Sequence, residues 1–349
     1  MLYKIPTVAP PIVTYSGTTH NLSLVEQYFF TEARNSYLNW CLLQFTNLYF
    51  LQPWNVQPNN GNFDDIFGKC YNIGKCDILV RDFYDIQYLN KTCSEISEFV
   101  RERLADGFAV RTYVDRYFLI PTLFSETNYH DVFITGYDSE DDSFLITDFF
   151  HRNYETIKIK SNNLNMAFDS YAKLQYNQRF DVLKRSLIAC RIYNSLAERK
   201  EYLNIPFDSS SFLLIIERYL SGIIYNDRQY GYRCYDLLMK YISDLSISSE
   251  NIDIRVFHLL YSHKIMLYRS VNYLMESKII KFDSLLLEQV KKLLDVSIIN
   301  RNLLIKLNLS PDKTESVKVK ICNNVKKMKE EEIEIYEILH KEISHYISV

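Results

Sequence analysis

A chain of 349 residues with a formal net charge of −3 has room for two ordinary domains and carries no basic excess, which excludes nucleic acid as its main partner. No apolar run approaches the roughly 20 residues of a membrane span. Met1 to Tyr15 lacks the apolar stretch of an export leader, so a cytoplasmic location is expected. The seven cysteines are odd in number and scattered, which suits reduced thiols. Cys70 and Cys76 have no second ligand pair after them, so no metal site is expected.

Pro6, Pro10 and Pro11 make residues 1–19 an extended arm. A helix is predicted from Asn21 or Ser23 to about Trp40, with Glu26 three residues after Ser23 as in a capping box. A second amphipathic stretch, Cys41 to Leu51, ends at Pro53, and residues 53–75, rich in Gly, Pro and Asn, read as a loop or lid. Cys76 to Val80 reads as a short strand, and Ser94 to Asp106 as a helix closed by Gly107. Three strands follow, at Phe108–Val114, Asp131–Tyr137 and Ser143–Thr147, the last two joined by the acidic turn Asp138-Ser139-Glu140-Asp141-Asp142. Further strands are predicted at Tyr154–Ile159 and Phe180–Ile192, with a short helix at Asn163–Tyr171 between them.

Composition then changes. No glycine follows Gly231, which suits long helices and not a turn-rich β domain. Helices are predicted over 209–221, ending at Gly222, and over 229–243, 251–277, 283–307 and 311–345. The last is announced by Ser310-Pro311-Asp312. His258 and His263, five apart, do not share a helix face for a metal. The mixed-sign run from Lys313 to Lys341 reads as a solvated helix face or a helix-pair contact, and Ser221 to Tyr232 as an ordered inter-helix loop. The expected organisation is therefore α+β: residues 1–195 form a domain around a central antiparallel sheet, and 196–349 form an all-helical domain.

The central hairpin carries the candidate chemistry. If it is centred near Glu140, residue 132 faces residue 148, and His130 lies diagonally across from Asp148 within hydrogen-bond reach. A carboxylate that fixes the tautomer of an imidazole leaves its other nitrogen free to take a proton.

Gly107, the Asp115-Arg116-Tyr117-Phe118-Leu119-Ile120-Pro121 loop, His130, Gly136-Tyr137-Asp138 and Asp148 together resemble the papain-fold family of the butirosin-biosynthesis acyltransferase, over about residues 18–160. That family includes cysteine-peptidase-like condensation enzymes of nonribosomal peptide pathways. The resemblance implies a papain-like N-terminal domain with His130 as base and Asp148 as its orienting group. It also implies a substrate site drawing on His20, Asn21, Asp115, Tyr117 and Tyr129. The implied donor is a thioester on the phosphopantetheine of an acyl or peptidyl carrier protein, with no cofactor of the protein's own. The expected partner is that carrier, with homo-oligomerisation left open and neither nucleic acid nor membrane involved.

In such folds a thiolate at the start of the central helix is the nucleophile, and here Asn21 or Leu22 stands in its place. Three readings follow. Ser23 serves as a variant nucleophile; His130 promotes direct attack of an amine on the thioester; or the domain is a silent partner or scaffold that binds a carrier protein or another biosynthetic enzyme. A hydrolase ranks third, behind an acyl-transferring enzyme and a non-catalytic partner.

Overall fold

The computed structural model describes residues 2–13, 16–31, 33–46, 48–51, 79–151, 153–175, 186–192, 206–225, 228–244, 254–309 and 314–348. In chain order these form β1 (Leu2–Lys4), α1 (Ser16–Val25), a 3₁₀ turn (Glu26–Phe30), α2 (Arg34–Phe45), β2 (Tyr49–Leu51), β3 (Leu79–Asp85), α3 (Ile86–Thr92) and α4 (Ile96–Ala105). Then come β4 (Ala109–Asp115), α5 (Arg116–Leu119), β5 (Tyr129–Asp138), β6 (Ser143–Phe150), β7 (Asn153–Lys160), α6 (Ser161–Gln175) and β8 (Ser186–Ile192). The remainder is α7 (Ser209–Ser221), β9 (Ile224–Tyr225), β10 (Arg228–Tyr230), α8 (Arg233–Asp244), α9 (Arg255–Glu276), α10 (Ser284–Leu309) and α11 (Thr314–Ser348).

The chain is a mixed α/β protein with two compact units. One comprises Met1–Glu32 and Cys76–Leu203; the other comprises Ala33–Lys75 and Asn204–Val349. The described residues between Ala33 and Leu51 thus group with the C-terminal helices, whereas the expectation from the sequence placed them with the first 195 residues.

The first unit is built on a seven-stranded antiparallel sheet in the order β3-β8-β4-β5-β6-β7. The seventh strand, β1, pairs with β5 at Leu2↔Asp138 through Lys4↔Gly136, beyond the point where β4 leaves off. Helices α4 and α6 cover the core. Val100, Leu104, Leu164, Ala167 and Phe168 pack with Val110, Val132, Ile134, Phe144 and Ile146 of the sheet. Gly107 ends α4 as the sequence predicts. It takes a φ of 84°, and Phe108 N–H donates to Arg103 O at 2.8 Å while Gly107 N–H donates to Leu104 O at 3.1 Å.

Three expectations need correction here. α1 starts at Ser16, not Asn21 or Ser23, because the prolines that forbid helix end at Pro11. The predicted helix to Trp40 is broken by the 3₁₀ turn into α1 and α2, and the amphipathic stretch from Cys41 ends at Phe45, with Tyr49–Leu51 extended. The strand begun near Cys76 runs from Leu79 to Asp85 and is an edge of the sheet. The lid expected over 53–75 lies outside the described residues.

The second unit is mainly helical, with one small sheet in the order β2-β10-β9. Among the described residues no strand follows Tyr230, and no helix is long and apolar enough to cross a membrane. Asn39 of α2 accepts from the Tyr273 hydroxyl of α9 at 2.8 Å, which binds the early segment to the late helices. The centre of this unit holds a buried polar cluster. Lys264 Nζ lies 2.5 Å from Glu332 Oε1 and 2.9 Å from His263 Nδ1, and the Tyr235 hydroxyl donates to Glu332. Lys264, Glu332 and His263 are inaccessible to solvent. Burial pulls the His263 pKa down to about 3, so the ring is neutral and Lys264 supplies the charge opposite Glu332.

Candidate functional site

The β5–β6 register decides whether His130 and Asp148 meet. Near the turn the pairing is Asp138↔Ser143 and Gly136↔Leu145, one residue out of step with a hairpin centred on Glu140. An irregularity between Ile134 and Gly136 then absorbs one residue, and Phe133 faces Thr147. The bulge restores the register that a hairpin centred on Glu140 requires, and it brings the two side chains together.

His130 Nδ1 lies 3.0 Å from Asp148 Oδ2. It also lies 2.9 Å from the carbonyl oxygen of Asp131, and the second contact has the better hydrogen-bond geometry. Both partners can only accept, so the proton must sit on Nδ1 and is shared between them. Nε2 keeps its lone pair, and the side chain is one-third exposed. Burial works to lower the His130 pKa, but the hydrogen bond and charge of Asp148, helped by Asp131, outweigh it and the net direction is upward.

Asp148 is fully buried and has a second partner, the Arg116 guanidinium, whose Nη1 lies 3.0 Å from the same Oδ2. Arg116 Nε donates to Asn128 Oδ1 at 2.8 Å and Nη1 to Phe149 O at 3.3 Å, and its guanidinium sits 4.5 Å from the Phe124 ring centre. Alongside runs a second ion pair, Arg111 with Asp131, at 2.6 Å from Nη2 and 2.8 Å from Nε. Ser16 at the start of α1 donates to the other oxygen of Asp131. Burial would raise the Asp131 pKa, but the Arg111 charge overrides it and holds the carboxylate ionised.

The residues expected around the substrate fall in different places. His20 is buried, stacks on Phe133 with ring centres 5.1 Å apart, and bonds through Nδ1 to the Tyr154 hydroxyl at 3.0 Å. Burial drops its pKa to about 4, so it is a neutral ring. Asn21 is buried too. Asp115 caps α5: its Oδ1 accepts from Tyr117 N and Asn128 N, and its Oδ2 from Ser170 Oγ at 2.8 Å. That makes it the fastener of the 116–128 loop. Tyr117 packs edge-on against Phe118. Of these residues, Tyr129 lines an open groove of about 540 Å³, with Phe118, Met166, Asp169, Ser170, Lys173 and Leu174; His130 and Asp148 are not part of its wall.

Ser23, the variant nucleophile of the sequence reading, is 2 % exposed, and its hydroxyl donates to the carbonyl of His20 at 2.7 Å. This backward bond within a helix uses the hydroxyl's proton, and the Tyr154 hydroxyl shares a hydrogen bond with the same group. Leu22 is fully buried. The structure brings together His130, Asp148, Asp131, Arg116 and Arg111; the sequence reading gave the last three no role in the site.

No protein-family model matches the chain, and no curated protein matches it.

Proposed function

We propose that the α/β unit is a papain-like domain that forms amides by direct aminolysis of a carrier-bound thioester, with His130 as general base. The supporting observation is the imidazole held through Nδ1 between two acceptors, one of them a buried carboxylate, with Nε2 left basic. The amine nitrogen attacks the thioester carbonyl and its proton passes to Nε2. The C–S bond then breaks, and the departing thiolate takes that proton back. Asp148 and Asp131 stabilise the imidazolium in between. A thioester is reactive enough for a positioned base and proximity to suffice. The acyl or aminoacyl donor sits on phosphopantetheine, the acceptor is an amine, and the setting is natural-product assembly of the nonribosomal peptide type in the cytoplasm.

The test mixes an acyl-loaded carrier protein with candidate amines and follows amide formation by mass spectrometry. His130→Ala should lower the rate by about 10²–10⁴-fold. Ser23→Ala and iodoacetamide should leave it within about twofold, as expected of groups outside the proton path. An acyl adduct on the protein that Ser23→Ala abolishes would sink the reading.

A second reading, a non-catalytic carrier-binding partner, is favoured by one observation. The helix positions where a thiolate would stand, Asn21 and Leu22, are buried and offer no nucleophile. It predicts carrier binding that His130→Ala does not change and no turnover in any variant.

A further inference from the structure

We infer that Arg116 is a positioning residue for His130: it occupies the same carboxylate oxygen of Asp148 and, by tying the 116–128 loop to the β5–β6 hairpin, sets how tightly the imidazole holds a proton. Two N–H donors converge on one atom, one of them a permanently charged guanidinium. Asp148 Oδ2 is 3.0 Å from Arg116 Nη1 and 3.0 Å from His130 Nδ1. Oδ1, buried in the same carboxylate, has no hydrogen-bond partner among the described residues, so the bonding capacity of Asp148 is concentrated on the shared oxygen. Whatever share of the charge Arg116 takes is withdrawn from the imidazolium.

The groups facing the ring come from four places. Asp131, on the same strand, has Oδ1 at 3.7 Å from Nδ1; Asp148 comes from β6; Arg116 comes from the loop; and His20 comes from α1. His20 is neutral and contributes little charge. Asp131 is itself bound to Arg111. The balance at His130 therefore turns on Asp148 and Arg116.

Arg116 is not fixed to the hairpin alone. Its Nε bond to Asn128 and its stacking on Phe124 fasten it to both limbs of the loop that Asp115 closes. With the loop docked, Asp148 serves both donors. With Arg116 drawn away, by loop displacement or by an anionic group taking its fork, Asp148 is left to the imidazole alone and the base becomes stronger. Loop position and proton affinity are thus linked.

The inference takes His130 as the base of the proposed reaction, but its test needs no turnover. The His130 ring in the full chain is titrated by NMR, its resonance assigned by comparison with His130→Gln. Arg116→Met keeps the stem and removes the charge; the ring's proton affinity should rise about 3- to 10-fold. Arg116→Lys keeps the charge and should stay near the wild type. Phe124→Leu loosens the guanidinium without neutralising it and should give a smaller rise. An unmoved or lowered midpoint in Arg116→Met, with the far-ultraviolet spectrum intact, overturns the inference. If that variant does not fold, an unmoved midpoint in Phe124→Leu overturns it equally. Titrations that behave as expected in a protein that makes no amide would refute the proposed reaction and leave the role of Arg116 standing.

Discussion

Replacing Asp148 by Asn tests the centre of the site, because two opposing consequences can be worked from the geometry. The side chain has no exposure and Arg116 is only 11 % exposed, so the change strips a buried ion pair of its anion. Removing one partner of such a pair costs about 3–5 kcal/mol. Asn still offers one acceptor oxygen, which brings the expected loss to about 2–4 kcal/mol. The imidazole responds as well. Without the anion, burial becomes the leading influence on His130 and only Asp131 opposes it, so the ring's proton affinity should fall about 10- to 100-fold. The pH dependence then inverts. In the wild type the folded-state pKa lies above that of the unfolded chain, so this pair contributes stability that is complete below about 6.5 and fades as pH rises through the folded value. In Asp148→Asn the folded value lies below, and acid destabilises. The stability gap between the two proteins should therefore widen between pH 7 and 6. Urea melts followed by circular dichroism at both pH values, with NMR titration of the ring, give both numbers. A ring midpoint that does not move, or a loss under about 1 kcal/mol, would mean that Asp148 neither holds nor charges His130.

Two further outcomes follow from buried groups elsewhere. His20 has a folded pKa of about 4, so between about pH 6.5 and 4 the unfolded chain binds a proton that the folded one refuses. Acidification through that window should remove roughly 3 kcal/mol, and His20→Phe should flatten this part of the curve in melts at pH 7, 5.5 and 4.5. In the helical unit, Lys264→Met leaves Glu332 charged and buried without its nearest cation. It should cost about 3–5 kcal/mol by urea unfolding, and adding Glu332→Leu should recover most of that; no recovery would refute the pairing.

How much of this was legible depends on the range of the interaction. Gly107 ended α4 and Gly222, with a φ of 57°, ended α7, because a left-handed residue after a helix is a local demand. The diagonal of His130 and Asp148 was readable from strand alternation, although the pairing beside the turn is one residue out of step with a hairpin centred on Glu140 and the bulge makes up the difference. The same alternation would have found the second pair. Arg111 faces Phe133, so Asp131 stands on the adjacent diagonal. Arg116 was quoted within a motif, yet its partner lies 32 residues away across a loop whose path the sequence does not disclose. The placement of the described residues between Ala33 and Leu51 rests on contacts such as Arg34 with Glu276, 242 residues apart, which leave no periodic trace in the chain.

The polar cluster of the helical unit has a consequence for how its helices find their places. Apolar helix faces tolerate sliding, since one leucine fits a groove about as well as its neighbour a turn away. Here α9 brings His263 and Lys264, α11 brings Glu332, and α8 brings Tyr235 to one dry point. Displacing any of these helices by one turn, about 5.4 Å, would leave an ammonium or a carboxylate facing hydrocarbon. Of the many ways in which three greasy cylinders can nest, that single point admits one alignment, as a dowel does between planks.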